Sequence, residues 1–187
     1  MIGLLTGSIG SGKTTLCQRL VTLLRQQGLE PAGILAPALI DAQGRKIGIR
    51  LLRVETEEEQ VLALAEGDLQ GPRTGRYVFD ADVMAWSLSG LRRALKGKYD
   101  LVLIDEIGPL ELLRGEGLAP VLGDLRDLCE EPHVLIVVRE ALAEMLRERL
   151  DRPDLVTFSL GMDVRDTLAM VVAERYFPGM TAKVQCA

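Results

Sequence analysis

Two stretches of the chain carry groups suited to chemistry on a phosphorylated substrate. The first runs Gly7, Ser8, Ile9, Gly10, Ser11, Gly12, Lys13, Thr14, a complete GxxxxGK(S/T) pattern followed by Thr15. Glycines there let the backbone turn with its amides pointing inward, an anion-binding nest that larger residues would obstruct. A helix start behind the nest adds unpaired N–H groups and a positive dipole end. Lys13 is placed to reach the β- and γ-phosphates of a nucleotide, and the Thr14 hydroxyl to ligate Mg²⁺. The second stretch is Leu101, Val102, Leu103, Ile104, Asp105, Glu106, four apolar residues ending in two acids. In a parallel sheet such a strand delivers its acids to the crevice where ligands bind. Asp105 is expected to hold the Mg²⁺ shell opposite Thr14, and Glu106 to orient or deprotonate an attacking water. Glu111, just beyond Gly108, Pro109 and Leu110, is a second candidate for that task. Apolar strands often end in an acid, but the pairing with an upstream phosphate loop is far more specific.

The elements that must position these groups alternate between strand and helix. Ile2 to Leu5 reads as a buried strand before the loop, and Leu16, Leu20, Leu23 and Leu24 recur at helical spacing over Thr14 to Arg25. Gly28 is a natural end for that helix, and Pro31 bars its continuation. Ala32 to Ile40 and Lys46 to Leu52 flank a turn at Asp41 to Arg45 and read as an inserted β-hairpin. That hairpin either extends the sheet with an antiparallel edge or projects over the nucleotide. Glu55 to Ala65 reads as a short helix with Glu57, Glu58 and Glu59 in its first turn. Gly67 to Gly75 reads as a mobile loop, with Arg73 and Arg76 either solvated or available to a triphosphate. Tyr77 to Phe79 is a strand, and Asp80 caps a helix from about Ala81 to Leu95 on which Trp86 either packs, its default role, or stacks on a base. Helices at Leu118 to Cys129, Ala141 to Leu150 and Val164 to Tyr176 alternate with strands at Val134 to Val138 and Leu155 to Phe158. Arg139, Arg147 and Arg149 either serve the transition state or pair with Glu144, Glu148 or Asp151. The pattern predicts an α/β P-loop NTPase with a mostly parallel sheet, one domain over 1–177 and a loose tail over 178–187.

Composition narrows the function classes. At 187 residues with 48 % hydrophobic content, the chain can bury one substantial core. A net charge of −5 argues against a protein that coats nucleic acid. No apolar run approaches the roughly 20 residues of a spanning helix, and the N-terminus enters a strand at once, so no membrane and a cytoplasmic location are expected. Cys17, Cys129 and Cys186 lack metal-ligand spacing, and Cys17 and Cys129 read as small core residues on helices. The single His133 opens a strand and reads as structural.

With these residues in view, the chain resembles the small P-loop nucleoside-triphosphatases of the thermophile type, also found as the cancer-related nucleoside-triphosphatase of animals. The resemblance covers about residues 1–170. It is carried by LLTGSIGSGKTTL at 4–16, Gly33, Gly44 and Gly48 in the hairpin, TGRYVFD at 74–80, LVLIDEIGPLEL at 101–112, and Arg149 and Arg165. It implies a RecA-like three-layer sandwich and a Mg²⁺-dependent hydrolase that turns NTP (ATP, GTP and others) into NDP and phosphate with broad base tolerance. By position, Asp105 matches the family's metal-shell acid and Glu106 its water-activating acid. Two stretches depart from the family pattern: Ala36, Pro37, Ala38, Leu39 and Ile40 replace a polar and acidic run, and Pro109 replaces a basic residue. A monomer or weak oligomer with no nucleic-acid partner is expected. Rival readings are a P-loop kinase of a nucleoside or other small molecule and a nucleotide-dependent switch or binding module.

Overall fold

A computed structural model describes residues 1–129, 131–161 and 165–180. In chain order the elements are β1 (Ile2–Gly7), α1 (Lys13–Gln26), β2 (Pro31–Leu35), β3 (Ala38–Ile40), β4 (Lys46–Arg53), β5 (Glu59–Leu64), β6 (Arg73–Thr74), β7 (Tyr77–Phe79), α2 (Ala81–Lys96), β8 (Leu101–Ile107), α3 (Pro109–Arg114), α4 (Val121–Arg126), β9 (His133–Arg139), α5 (Ala143–Leu150), β10 (Leu155–Ser159) and α6 (Arg165–Tyr176). Among the described residues ten strands form one open sheet in the order β10-β1-β9-β8-β2-β4-β5-β7-β6, with β3 beside β4. The neighbours from β10 to β2 all run parallel. From β2 outward the pairing turns antiparallel.

Strand periodicity explains the layers. In β8, Val102 and Ile104 pack with α2, α4 and α5, while Leu101 and Leu103 pack with α1 and α6. β9 divides likewise, with Val134, Ile136 and Val138 to the first face and Leu135 and Val137 to the second. Strands covered on both faces read as continuous apolar runs, as these do. The result is the expected three-layer α/β architecture. Helix α1 stops where its sequence says it should: Gly28 takes φ 75°, its N–H reaches the Arg25 carbonyl, and Leu29 N–H reaches that of Leu24. Asp80 caps α2 by accepting from the amides of Asp82 and Val83.

Several expectations are corrected. The segment Glu55 to Ala65 is not a helix: Glu59–Leu64 is a strand paired with β4. Acids at a helix start are a weak preference, and here ladder bonds plus the cross-strand Arg50–Glu59 ion pair at 3.0 Å outweigh it. Ala32 to Ile40 is two strands. The Ala36 amide leaves the ladder for Asp105 and Pro37 has no N–H to give, so the chain breaks there and only β3 forms the hairpin with β4. That hairpin extends the sheet. The Leu118 to Cys129 helix is confined to α4, and Cys129 lies exposed beyond it; Cys17 is buried as expected. Of the 178–187 tail, Met180 is buried against α1 and α6, while 181–187, Cys186 included, fall outside the described residues. No helix among the described residues is long and apolar enough to cross a membrane.

Candidate active site

The site is built at the C-terminal ends of β1, β9 and β8, three adjacent parallel strands. β1 is buried along its whole length, and its end is held in register, Thr6 with Ser159 of β10 on one side and Gly7 with Arg139 of β9 on the other. The chain then turns sharply into α1. Gly10 and Gly12 take φ 74° and 98°, values that side chains rarely adopt, which is the physical reason for glycine at both positions. Ser8 and Ile9 are exposed at the tip. Ser11 is buried beside Gly7, and its hydroxyl has no hydrogen-bond partner among the described residues. Lys13 is the first residue of α1 and is 6 % exposed. Its ammonium donates to the carbonyls of Gly7 at 2.9 Å and Ser8 at 2.8 Å. Desolvation pulls its pKa down, while the nearby charges of Glu106 and Asp105 push it up and that of Arg139 pulls it down. These four charged side chains therefore share one crevice.

Asp105 is 2 % exposed. It accepts hydrogen bonds from the Ala36 amide at 3.1 Å and from the Thr14 hydroxyl. Burial pushes its pKa up to about 6, against those two bonds and Lys13. A carboxylate and a hydroxyl in mutual contact form a hard-oxygen pair, with the anion poorly compensated by the protein alone. That donor set fits Mg²⁺, which takes one or two protein oxygens and leaves its other positions to water and substrate phosphates. No group of three His, Cys, Asp or Glu side chains competes as a metal site among the described residues.

Glu106 follows at an irregularity in the ladder: Asp105 pairs with Val137 and Ile107 with Val138, leaving Glu106 unpaired between them. Such a bulge re-aims a side chain at a strand end. Its Oε1 accepts from Arg139 Nε at 2.9 Å. Glu111 lies close by but is differently employed. It is the third residue of α3, it is 6 % exposed, and its two oxygens accept from the amides of Gly108 at 2.9 Å and Leu118 at 3.2 Å. Burial raises its pKa. Glu111 thus fastens the turn after β8 to the start of α3 and to the segment before α4.

The structure brings together Gly7 to Thr14, Asp105 and Glu106, with Glu111 behind them. It does not bring in the other arginines weighed from the sequence. Arg76 donates to the Lys46 carbonyl and the Tyr77 hydroxyl on the far edge of the sheet, and Arg73 sits exposed on β6. Arg147 donates to Thr157 and Arg149 to the Leu112 carbonyl. Trp86 stacks under the Arg53 guanidinium at 3.7 Å, a packing role. Two features escape sequence reasoning. The Ala36 amide on Asp105 is a backbone group with no side-chain signature. The Arg139–Glu106 pair joins residues 33 apart, and only the strand-end position of Arg139 hints at it.

A family model described as NTPase matches residues 3–173. The chain belongs to this NTPase family. Its relatives include nucleoside-triphosphatase THEP1 of Methanopyrus kandleri, 33 % identical over 91 % of this chain and 92 % of that one. Another, from Hyperthermus butylicus, is 35 % identical over 90 % of this chain and 87 % of that one. Among solved structures, THEP1 from Aquifex aeolicus superposes with a TM-score of 0.71 at 19 % identity, covering 95 % of this chain and 99 % of that one. A human cancer-related nucleoside triphosphatase gives 0.71 at 24 % identity over 94 % and 97 %. These two likenesses show the NTPase fold, and the sequence relatives show the family.

Proposed function

We propose that this NTPase is a Mg²⁺-dependent phosphatase of nucleoside triphosphates, releasing NDP and phosphate. The observation that carries the reading is the meeting of Lys13, Thr14, Asp105 and Glu106 at one strand-end crevice. Backbone amides of the Gly7–Thr15 turn and the Lys13 ammonium bind the phosphate chain, with Lys13 exchanging two loop carbonyls for β- and γ-oxygens. Thr14 and Asp105 would hold Mg²⁺, which when bound would neutralise charge on the substrate's phosphates. Glu106 accepts a proton from water as the water oxygen bonds to the γ-phosphorus. The β–γ bridging P–O bond breaks, and its electron pair leaves with the diphosphate. Glu111 positions the turn that carries Glu106.

The test is phosphate release from a panel of triphosphates, with Mg²⁺ and with a chelator. Activity should require the metal, fall by about 10²–10⁴ in Glu106→Gln, and collapse in Lys13→Ala. Glu106→Gln should still bind nucleotide. An unchanged rate in that variant would remove Glu106 from the chemistry, and a strict requirement for an acceptor compound would make the protein a phosphotransferase instead.

A further inference from the structure

Arg139 is a cation at the site to which the phosphatase reading gives no task. Its backbone is paired with Gly7, the first glycine of the phosphate loop, and its Nε donates to Glu106 at 2.9 Å. The two side chains are 38 % and 30 % exposed, so the pair faces the crevice and not the core. Lys13 feels both charges, together with that of Asp105. Two cations thus stand against two anions, with no surplus positive charge for an incoming polyanion. Glu106 Oε1 is engaged with Arg139 in the free site. A triphosphate entering this crevice meets a carboxylate that repels it and a guanidinium that is already bound.

We propose that Arg139 holds Glu106 while the site is free and turns to the terminal phosphate when a nucleoside triphosphate binds, so that the γ-phosphate itself releases the acid that takes the water's proton. A guanidinium has five donors in a planar fork, and phosphate oxygens match that fork. It stays charged throughout, neither gaining nor losing a proton, while the charge spreading over the γ-oxygens falls on it. A diphosphate has no γ-phosphate and leaves the pair closed, so product binding does not prepare the site. The inference rests on the phosphatase reading of the same residues.

The experiment titrates the full-length protein calorimetrically with ADP and with the β,γ-imido analogue of ATP, alongside phosphate release from ATP. The parent should prefer the imido analogue. Arg139→Ala should lose about 10-fold to 100-fold of that preference, with ADP affinity unchanged, and kcat should fall about 10³-fold. Added guanidinium ion, at concentrations too low to unfold the protein, should restore part of kcat in Arg139→Ala. Equal weakening of both nucleotides, or a preference that survives in a folded Arg139→Ala, would make Arg139 a brace for the strand end and overturn the proposal. Should Arg139→Ala fail to fold, Arg139→Lys decides: it keeps the charge but not the fork, and must also lose preference for the analogue. Failure of the phosphatase reading shows separately, as parent-like phosphate release in Lys13→Ala.

Discussion

Asp105→Asn should make the free protein more stable at neutral pH while disabling it. The carboxyl is fully buried, and its pKa stands at about 6 against an ordinary 3.8 because desolvation disfavours the anion. At 1.36 kcal/mol for each pH unit, ionising Asp105 in the folded chain costs about 3 kcal/mol more than in the unfolded chain. The sign follows from proton binding. Between pH 3.8 and about 6 the folded state holds the proton more tightly, so stability from this group is full below that window and lost as pH rises through it. Asparagine keeps an acceptor for the Ala36 amide and carries no charge. The gain of Asp105→Asn over the parent should therefore grow from about 1 kcal/mol at pH 4.5 to as much as about 3 kcal/mol above pH 7. For a chain of this length that is roughly 6–12 °C in Tm. Thermal melts of both proteins across pH 4.5 to 8, in a chelator so that no cation compensates the charge, measure the difference directly. A difference that does not change with pH, or an asparagine variant less stable throughout, would mean that the protein already satisfies the buried anion, and the argument for a cation-hungry site would fall with it.

Further outcomes follow from the same geometry. Glu111→Ala leaves two buried amides without acceptors and should lower stability by about 2–5 kcal/mol, read as a fall in denaturation midpoint; a large loss of kcat in a fully stable variant would instead give Glu111 a part in the chemistry. Gly33→Ala should fail to fold or precipitate on expression, because a Cβ there would stand 2.1 Å from the Leu103 carbonyl oxygen on a backbone at φ 107°. Asp80→Ala removes the cap of α2 and should cost about 1 kcal/mol without changing nucleotide affinity; a shift in affinity would tie α2 to the site.

The phosphate loop, its strand and its helix were legible in the sequence because local chemistry alone dictates them: glycines that must turn, a lysine and a threonine at fixed offsets, and leucines at helical spacing. The Asp105–Glu106 strand end was legible for a related reason, since a buried parallel strand has nowhere to put acids but its end. Elsewhere the deciding interaction lies far along the chain. Glu57, Glu58 and Glu59 look like a first helical turn until β4 offers a ladder and Arg50 a partner. The break at Ala36 follows from Asp105, 69 residues later, claiming its amide. Arg139 was visible as a strand-end cation, but its neighbours in sequence, Glu144 and Glu148, gave no sign that its partner would be Glu106.

Strand β9 lies between the strand that ends in the phosphate loop and the strand that ends in the two acids. Adjacent strands stand about 4.8 Å apart, so this single spacer sets the floor of the crevice about 10 Å wide. Its width is locked by the inner ladder, the part of the molecule least open to drift. Descendants of such a scaffold are free to rebuild the loops around the crevice while the spacing between the phosphate loop and the two acids stays unaltered.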